Sequence, residues 1–290
     1  MWFINTTTLK LEQFLEPREE KYAILSHTWE DGEVSFYEFA NLDEAKNKKG
    51  FAKIEMTCRM ASDRGLKYAW VDTCCIDKTS SAELTEAINS MFRWYRDSQV
   101  CFAYISDLAP GRPGGRYWGW LFDKEYRWFT RGWTLQELIA PNRVEFYDKI
   151  WQYRGNKTNL YIGLSRITGI DEDILTNKAD LVDVPMGRKM SWASSRRTSR
   201  VEDVAYCLLG IFDVNMPLIY GEGKKAFLRL QEEISKQTND LSLFAWTSQE
   251  PESQRFRGIM AQSPSEFAQC GALISCNDLD WKMESIKYVY

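Results

Sequence analysis

The sequence predicts an α/β fold, a parallel sheet flanked by helices. Two observations carry that prediction. Short apolar runs alternate with segments of helical periodicity through the first half of the chain. The runs are continuously apolar rather than alternating, as expected of parallel strands covered on both faces and joined by helical crossovers.

The elements follow in order. Residues 22–26 (Tyr-Ala-Ile-Leu-Ser) form a first strand-like run. Ile54, Cys58 and Ala61 share one helical face, and Gly65 supplies a stop. Residues 67–72 make a second strand. Ser80 followed by Glu83 is a capping box that opens a helix carrying Leu84, Ile88, Met91, Phe92 and Tyr95 at helical spacing. Residues 100–105 make the clearest strand. Leu135, Leu138 and Ile139 give a short helix ended by Pro141, and residues 143–147 form a fourth strand after the Pro141-Asn142 breaker. This core is expected over residues 1–150. Residues 151–290 are expected to form a helical and irregular C-terminal extension packed on it. There, Ser199 with Glu202 reads as a second capping box leading into Val201, Val204, Ala205, Leu208 and Leu209. Phe227, Leu230 and Ile234 mark a further helix, and the pattern is irregular from about Leu241 onward.

A net charge of −4 offers no overall surplus for binding a nucleic-acid backbone. The seven cysteines are an odd number without an extracellular spacing pattern. The N-terminal Met1-Trp2-Phe3-Ile4-Asn5 lacks a basic segment followed by a long apolar one, and no apolar run approaches the length of a membrane span. These features predict a cytoplasmic, reducing location with free thiols and no membrane span. Twelve tryptophans chiefly imply core packing, although an indole can also stack on a flat ligand.

In parallel sheets, ligands collect outside the carboxyl ends of the strands. The strand ends here are Ser26-His27-Thr28-Trp29, then Asp72-Thr73-Cys74-Cys75-Ile76-Asp77, then Ser106-Asp107, with Arg131-Gly132-Trp133 leading into the helix of Glu137. His27 is the sole histidine, and a structural role is the more ordinary one for it. A Cys–His nucleophilic pair with Cys74 or Cys75 is the rival chemistry. One histidine and no Cys-x-x-Cys argue against a metal site. Gly221-Glu222-Gly223-Lys224 lacks phosphate-loop spacing and reads as a turn. The basic cluster Arg188, Lys189, Arg196, Arg197 and Arg200 reads as solvated surface. Glu137 is the strongest candidate carboxylate. Trp133 lies one helical turn before it, so a ring and an acid together suit a flat cationic group such as nicotinamide.

Three ordered blocks resemble the signature of the fungal heterokaryon-incompatibility (HET) domain. They are Tyr22-Ala23-Ile24-Leu25-Ser26-His27-Thr28-Trp29, residues 68–78 (Tyr-Ala-Trp-Val-Asp-Thr-Cys-Cys-Ile-Asp-Lys) and residues 128–141 (Trp-Phe-Thr-Arg-Gly-Trp-Thr-Leu-Gln-Glu-Leu-Ile-Ala-Pro). Met190-Ser191-Trp192-Ala193-Ser194, the run from Arg200 to Tyr206 and the run Tyr220 to Gly223 are also similar to HET proteins, so the resemblance covers most of the chain. Glu30 departs from the family, which often has Gly there. HET domains resemble TIR domains more distantly, which implies a TIR/flavodoxin-like sheet. In TIR domains that cleave NAD, a Trp-x-x-x-Glu-like segment carries the catalytic glutamate, which falls on Glu137. The resemblance thus implies a cell-death effector in fungal non-self recognition that cleaves NAD, a substrate rather than a cofactor, after self-association. Ser26, His27, Trp29, Asp72, Cys74, Asp77, Arg131 and Trp133 are the expected pocket residues. An upstream receptor or nucleotide-binding protein is the expected partner. The alternative is a non-catalytic homotypic interaction module.

Overall fold

The computed structural model describes residues 1–14, 20–111, 119–122, 125–248 and 258–274. Its centre is a seven-stranded sheet. The strands are β1 (Trp2–Asn5), β2 (Leu11–Gln13), β3 (Tyr22–His27), β4 (Tyr68–Trp70), β5 (Val100–Tyr104), β6 (Val144–Tyr147) and β7 (Tyr153–Asn156). Their spatial order is β2-β1-β4-β3-β5-β6-β7. The four strands expected from the apolar runs are the parallel centre, β4-β3-β5-β6. All six residues of β3 are buried, because neighbours on both edges and helices on both faces leave it no solvent side.

The three strands the sequence pattern did not reveal are the flanking ones. β1 pairs antiparallel with β2 and with β4, and β7 pairs antiparallel with β6. The sheet is therefore mixed. These strands are three or four residues long, too short for a periodic signal.

Eleven helices are described in chain order: α1 (Phe36–Phe39), α2 (Leu42–Ala45), α3 (Phe51–Ser62), α4 (Ser81–Asp97), α5 (Arg127–Thr130), α6 (Thr134–Ile139), α7 (Lys157–Thr168), α8 (Glu172–Leu175), α9 (Met186–Ser191), α10 (Asp203–Tyr206) and α11 (Lys225–Gln237). α3 connects β3 to β4, α4 connects β4 to β5, and α5 and α6 lie between β5 and β6. Since β4 and β5 flank β3 on opposite sides, right-handed crossovers put α3 and α4 on opposite faces. That reversal opens a crevice at the carboxyl ends of the central strands.

Local chemistry explains the helix starts, with two corrections. The Ser80 hydroxyl accepts from the Glu83 backbone N–H, as expected of the cap of α4. Glu83 does not reciprocate, because its carboxylate accepts from the Asp77 N–H at 3.0 Å and steadies the loop after β4 instead. The second capping box, Ser199 with Glu202, does not form. α10 starts only at Asp203, and the Glu202 carboxylate accepts from the N–H groups of Gly221 and Gly223, each at 2.9 Å. Glu202 thus ties α10 to the turn before α11, the turn expected at Gly221–Gly223.

The C-terminal helices press on the core at points of close backbone approach. A Cβ on Gly210 would lie 2.0 Å from Cβ of Phe92 on α4. Only glycine permits that contact. Beyond Leu241 the described residues form two 3-10 segments, Leu241–Phe244 and Pro264–Ala272. The six described cysteines are free and buried, and Cys276 lies outside the described residues. Among the described residues no helix is long and apolar enough to cross a membrane.

Candidate functional site

β3 ends with Ser26 and His27, whose side chains leave opposite faces of the sheet as strand geometry requires. Ser26 meets α6 on one side. Its hydroxyl donates to Oε2 of Glu137 in a very short contact, and it accepts from Nε1 of Trp128 on α5 at 2.8 Å. His27 meets Lys53 of α3 on the other. The Lys53 ammonium has no lone pair to offer, so it donates to Nδ1 of His27 at 3.1 Å. Nε2 must then carry the ring proton, and it donates to Oδ1 of Asp72 at 3.1 Å. Asp72 also accepts from Nε1 of Trp29 at 2.8 Å. Lys53 is ion-paired with Glu33 in turn. His27 is a fixed bridge between α3 and the loop after β4, with both nitrogens occupied.

The position of α6 follows from its two ends. At the front, the Thr134 hydroxyl lies against the carbonyls of Trp128 and Arg131, which locks α5 to α6. Gly132 donates to the Arg197 carbonyl at 2.8 Å, and Arg197 donates to the Thr130 carbonyl at 2.7 Å. That bridge draws the segment after α9 over the start of α6. A Cβ on Gly132 would sit 2.5 Å from Cγ2 of Thr198, so glycine is what admits it. At the rear, the buried Lys157 ammonium contacts the carbonyls of Ile139 and Pro141. All six residues of α6 are buried, Glu137 among them at 6% exposure.

A carboxyl in such a place prefers its proton. Burial pushes Glu137 up to about 8; the Ser26 hydrogen bond opposes the rise, Asp72 adds to it, and Arg131 and Arg196 work against it. Asp72 goes the other way. Burial would raise it, but the hydrogen bond from His27, the charge of Lys78 and the hydrogen bond from Trp29 hold it at about 2. Two carboxyls at one rim are thus driven apart, one kept as an acid and the other as a base.

Glu137 and Asp72 both line an open cavity of about 440 Å³, within the range of small-molecule sites. His27, Trp29, Arg131 and Trp133 line it too, so six of the nine expected site residues meet there. The other three do not line it. Ser26 lies beneath Glu137. Asp77 lines a neighbouring cavity of about 190 Å³, where it accepts from the Tyr37 hydroxyl at 2.8 Å. Cys74 is fully buried, and burial lifts its thiol well above the ordinary range. A Cys74–His27 nucleophilic pair is not assembled, since Asp72 and Lys53 already occupy the imidazole. Glu30, the departure from the family pattern, bridges Arg127 at 2.8 Å and Ser106 at 2.9 Å, joining the loops after β3 and β5.

Sequence reasoning missed the far wall. Lys78, Ser199, Arg200, Asp203 and Tyr220 also line the cavity. Nε1 of Trp133 donates to Asp203 at 3.3 Å, and the Tyr220 hydroxyl donates to it at 3.0 Å. The signal for Arg200, Asp203 and Tyr220 is the pair of family-like runs at 200–206 and 220–223. The basic cluster, expected as solvated surface, is so only in part: Arg197 is exposed, but other members are engaged. Arg196 donates to the Arg131 carbonyl and to Thr134, and burial lowers its guanidinium to about 10. Lys189 is buried over the Phe212 ring. Arg188 is paired with Asp171. Among the described residues no group of three or more metal-ligating side chains gathers.

Fold and cavity together define an α/β protein with a ligand-sized, acid-based pocket at the carboxyl ends of its parallel strands. The heterokaryon incompatibility protein (HET) family profile matches residues 22–114, which contain β3, β4 and β5. A profile for a domain of unknown function, DUF8212, matches residues 225–280. The vegetative incompatibility protein HET-E-1 of Podospora anserina is 48% identical over 221 residues, 74% of this chain and 16% of that relative. This chain therefore belongs to the HET family, and it spans about a sixth of the length of the curated relative it matches. No solved structure gives a significant match.

Proposed function

We propose that this chain is an effector domain of heterokaryon incompatibility, and that it cleaves the nicotinamide–ribose bond of NAD in the Glu137 cavity after self-association. The observation that carries this reading is a buried carboxyl, Glu137, lining an open cavity at the switch point of a parallel sheet. The parallel strand order, with β4 and β5 on either side of β3, supports the TIR-like comparison.

The chemistry suits the residues. Cleavage releases a neutral ring from a cationic one and leaves positive charge on the ribose in the transition state. A carboxylate beside that charge lowers the barrier without an activated nucleophile. Glu137, pushed up to about 8 by burial, is mostly protonated at neutral pH with no cation beside it. A cationic nicotinamide beside it favours the ionised form, so substrate and carboxylate are matched in charge only when together. Trp29 and Trp133 supply ring faces for stacking. Loss of NAD gives a direct route from non-self recognition to cell death, with a receptor or nucleotide-binding protein as the upstream partner.

The test is NAD loss and nicotinamide release by purified protein, concentrated or clustered through a fused oligomer. Glu137→Gln is expected to lower the rate by about a hundredfold or more. Equal rates would sink the assignment. Cell killing by Glu137→Gln with NAD levels unchanged would favour the interaction module.

A further inference from the structure

Three cations line the cavity, Lys78, Arg131 and Arg200, and none has a carboxylate within ion-pair distance among the described residues. What holds them is aromatic. Nζ of Lys78 lies 3.8 Å from the Trp29 ring centre, Cζ of Arg131 lies 5.8 Å from the same ring, and Cζ of Arg200 lies 4.4 Å from the Tyr220 ring. A ring face attracts a cation without consuming an oriented acceptor, so the N–H donors of all three remain available.

The acids of the cavity are occupied elsewhere. Asp72 accepts from Trp29 and His27, Asp203 accepts from Trp133 and Tyr220, and Glu137 accepts from Ser26. With Glu137 protonated, three positive charges face two negative ones whose hydrogen bonds come from other groups. The cavity lining thus carries surplus positive charge and unspent donors, including two guanidinium forks. Such forks match phosphate oxygens in parallel pairs.

We propose that Lys78, Arg131 and Arg200 form a diphosphate clamp, so that the ligand is a pyrophosphate-bearing nucleotide rather than an uncharged nucleoside or sugar. The identity of the scissile bond rests on the preceding reading; the clamp rests on the placement of three cations in one cavity lining, held by ring faces and paired with no carboxylate among the described residues. Arg200 comes from the segment drawn over α6 by the Gly132–Arg197 bridge, so the C-terminal half supplies part of the recognition.

The test is calorimetric titration of the intact chain with inorganic pyrophosphate and, separately, inorganic phosphate. Saturable pyrophosphate binding is expected, at least about tenfold tighter than phosphate and weakened at least about tenfold by Arg200→Gln and by Lys78→Met. Arg197→Gln, an exposed arginine outside the cavity lining, is expected to bind as the parent does. Absence of saturable binding by the parent, or equal losses in Arg200→Gln and Arg197→Gln, would overturn the clamp. Pyrophosphate binding without NAD cleavage would overturn the catalytic reading and leave the clamp. Cleavage with the same KM in parent and Arg200→Gln would do the reverse.

Discussion

Replacing Glu137 by Gln should flatten the dependence of stability on pH. The carboxyl is 6% exposed, and burial raises it from an ordinary 4.5 to about 8. Between those values the unfolded chain ionises at this position and the folded chain does not. The unfolded state therefore binds fewer protons, and stability falls as pH rises, being fully present below 4.5 and lost through about 8. The slope is about 1.4 kcal/mol per pH unit, so this one group removes about 4 kcal/mol between pH 5 and pH 8. Two other shifted groups act outside that window. Asp72, held at about 2, contributes stability that is lost only as pH falls through its folded value. Lys157, lowered by burial to about 8, changes stability only above that pH, where the folded chain loses its proton first. An amide is a close isostere of the protonated acid, and its oxygen can still accept from Ser26. Urea unfolding of both proteins at pH 5, 6, 7 and 8 measures the effect. Parent and Glu137→Gln should agree near pH 5 and diverge steadily above it, the variant ending more stable. Parallel profiles would mean that Glu137 is ionised in the folded protein, and the reasoning from burial would be wrong.

Three further outcomes follow from neighbouring contacts. Ser26→Ala removes the hydrogen bond that lowers Glu137, so the pH-dependent loss should extend above pH 8; it also leaves Nε1 of Trp128 without its partner, at a cost of about 1–3 kcal/mol measured at pH 5. Gly132→Ala places a methyl 2.5 Å from Thr198 and should destabilise by about 1–3 kcal/mol in urea, with weaker pyrophosphate binding because the Arg200 segment is displaced. Lys157→Met leaves the carbonyls of Ile139 and Pro141 without their donor and should lower stability by about 2–4 kcal/mol, read at pH 7 where the parent lysine is mostly charged. If NAD is cleaved, kcat/KM should rise with pH through about 8, as Glu137 of the free protein ionises, and the rise should be absent in Glu137→Gln.

By itself the sequence determined the parallel centre of the sheet and the rim of the pocket. Strands such as β3 and β5 are apolar throughout because they are covered on both faces, and that burial writes itself directly into composition. Once the sheet is parallel, topology carries the residues after each strand to the same end, so Trp29, Asp72 and Glu137 are expected at one rim from the chain order, and all three line one cavity. Tertiary structure alone decided the rest. β1, β2 and β7 are too short to show a period, and their pairing depends on which edge is left open. Glu202 abandoned its local cap because Gly221 and Gly223 offered two N–H groups from a distant turn. The basic cluster divided into buried, paired and cavity-lining members according to contacts made far along the chain. Above all, the sequence could nominate Glu137 but not its state. Whether a carboxyl in a short helix is an ordinary surface charge or a retained proton depends on what covers it, and only packing against Ser26, Trp128 and the Arg196 segment supplies that cover.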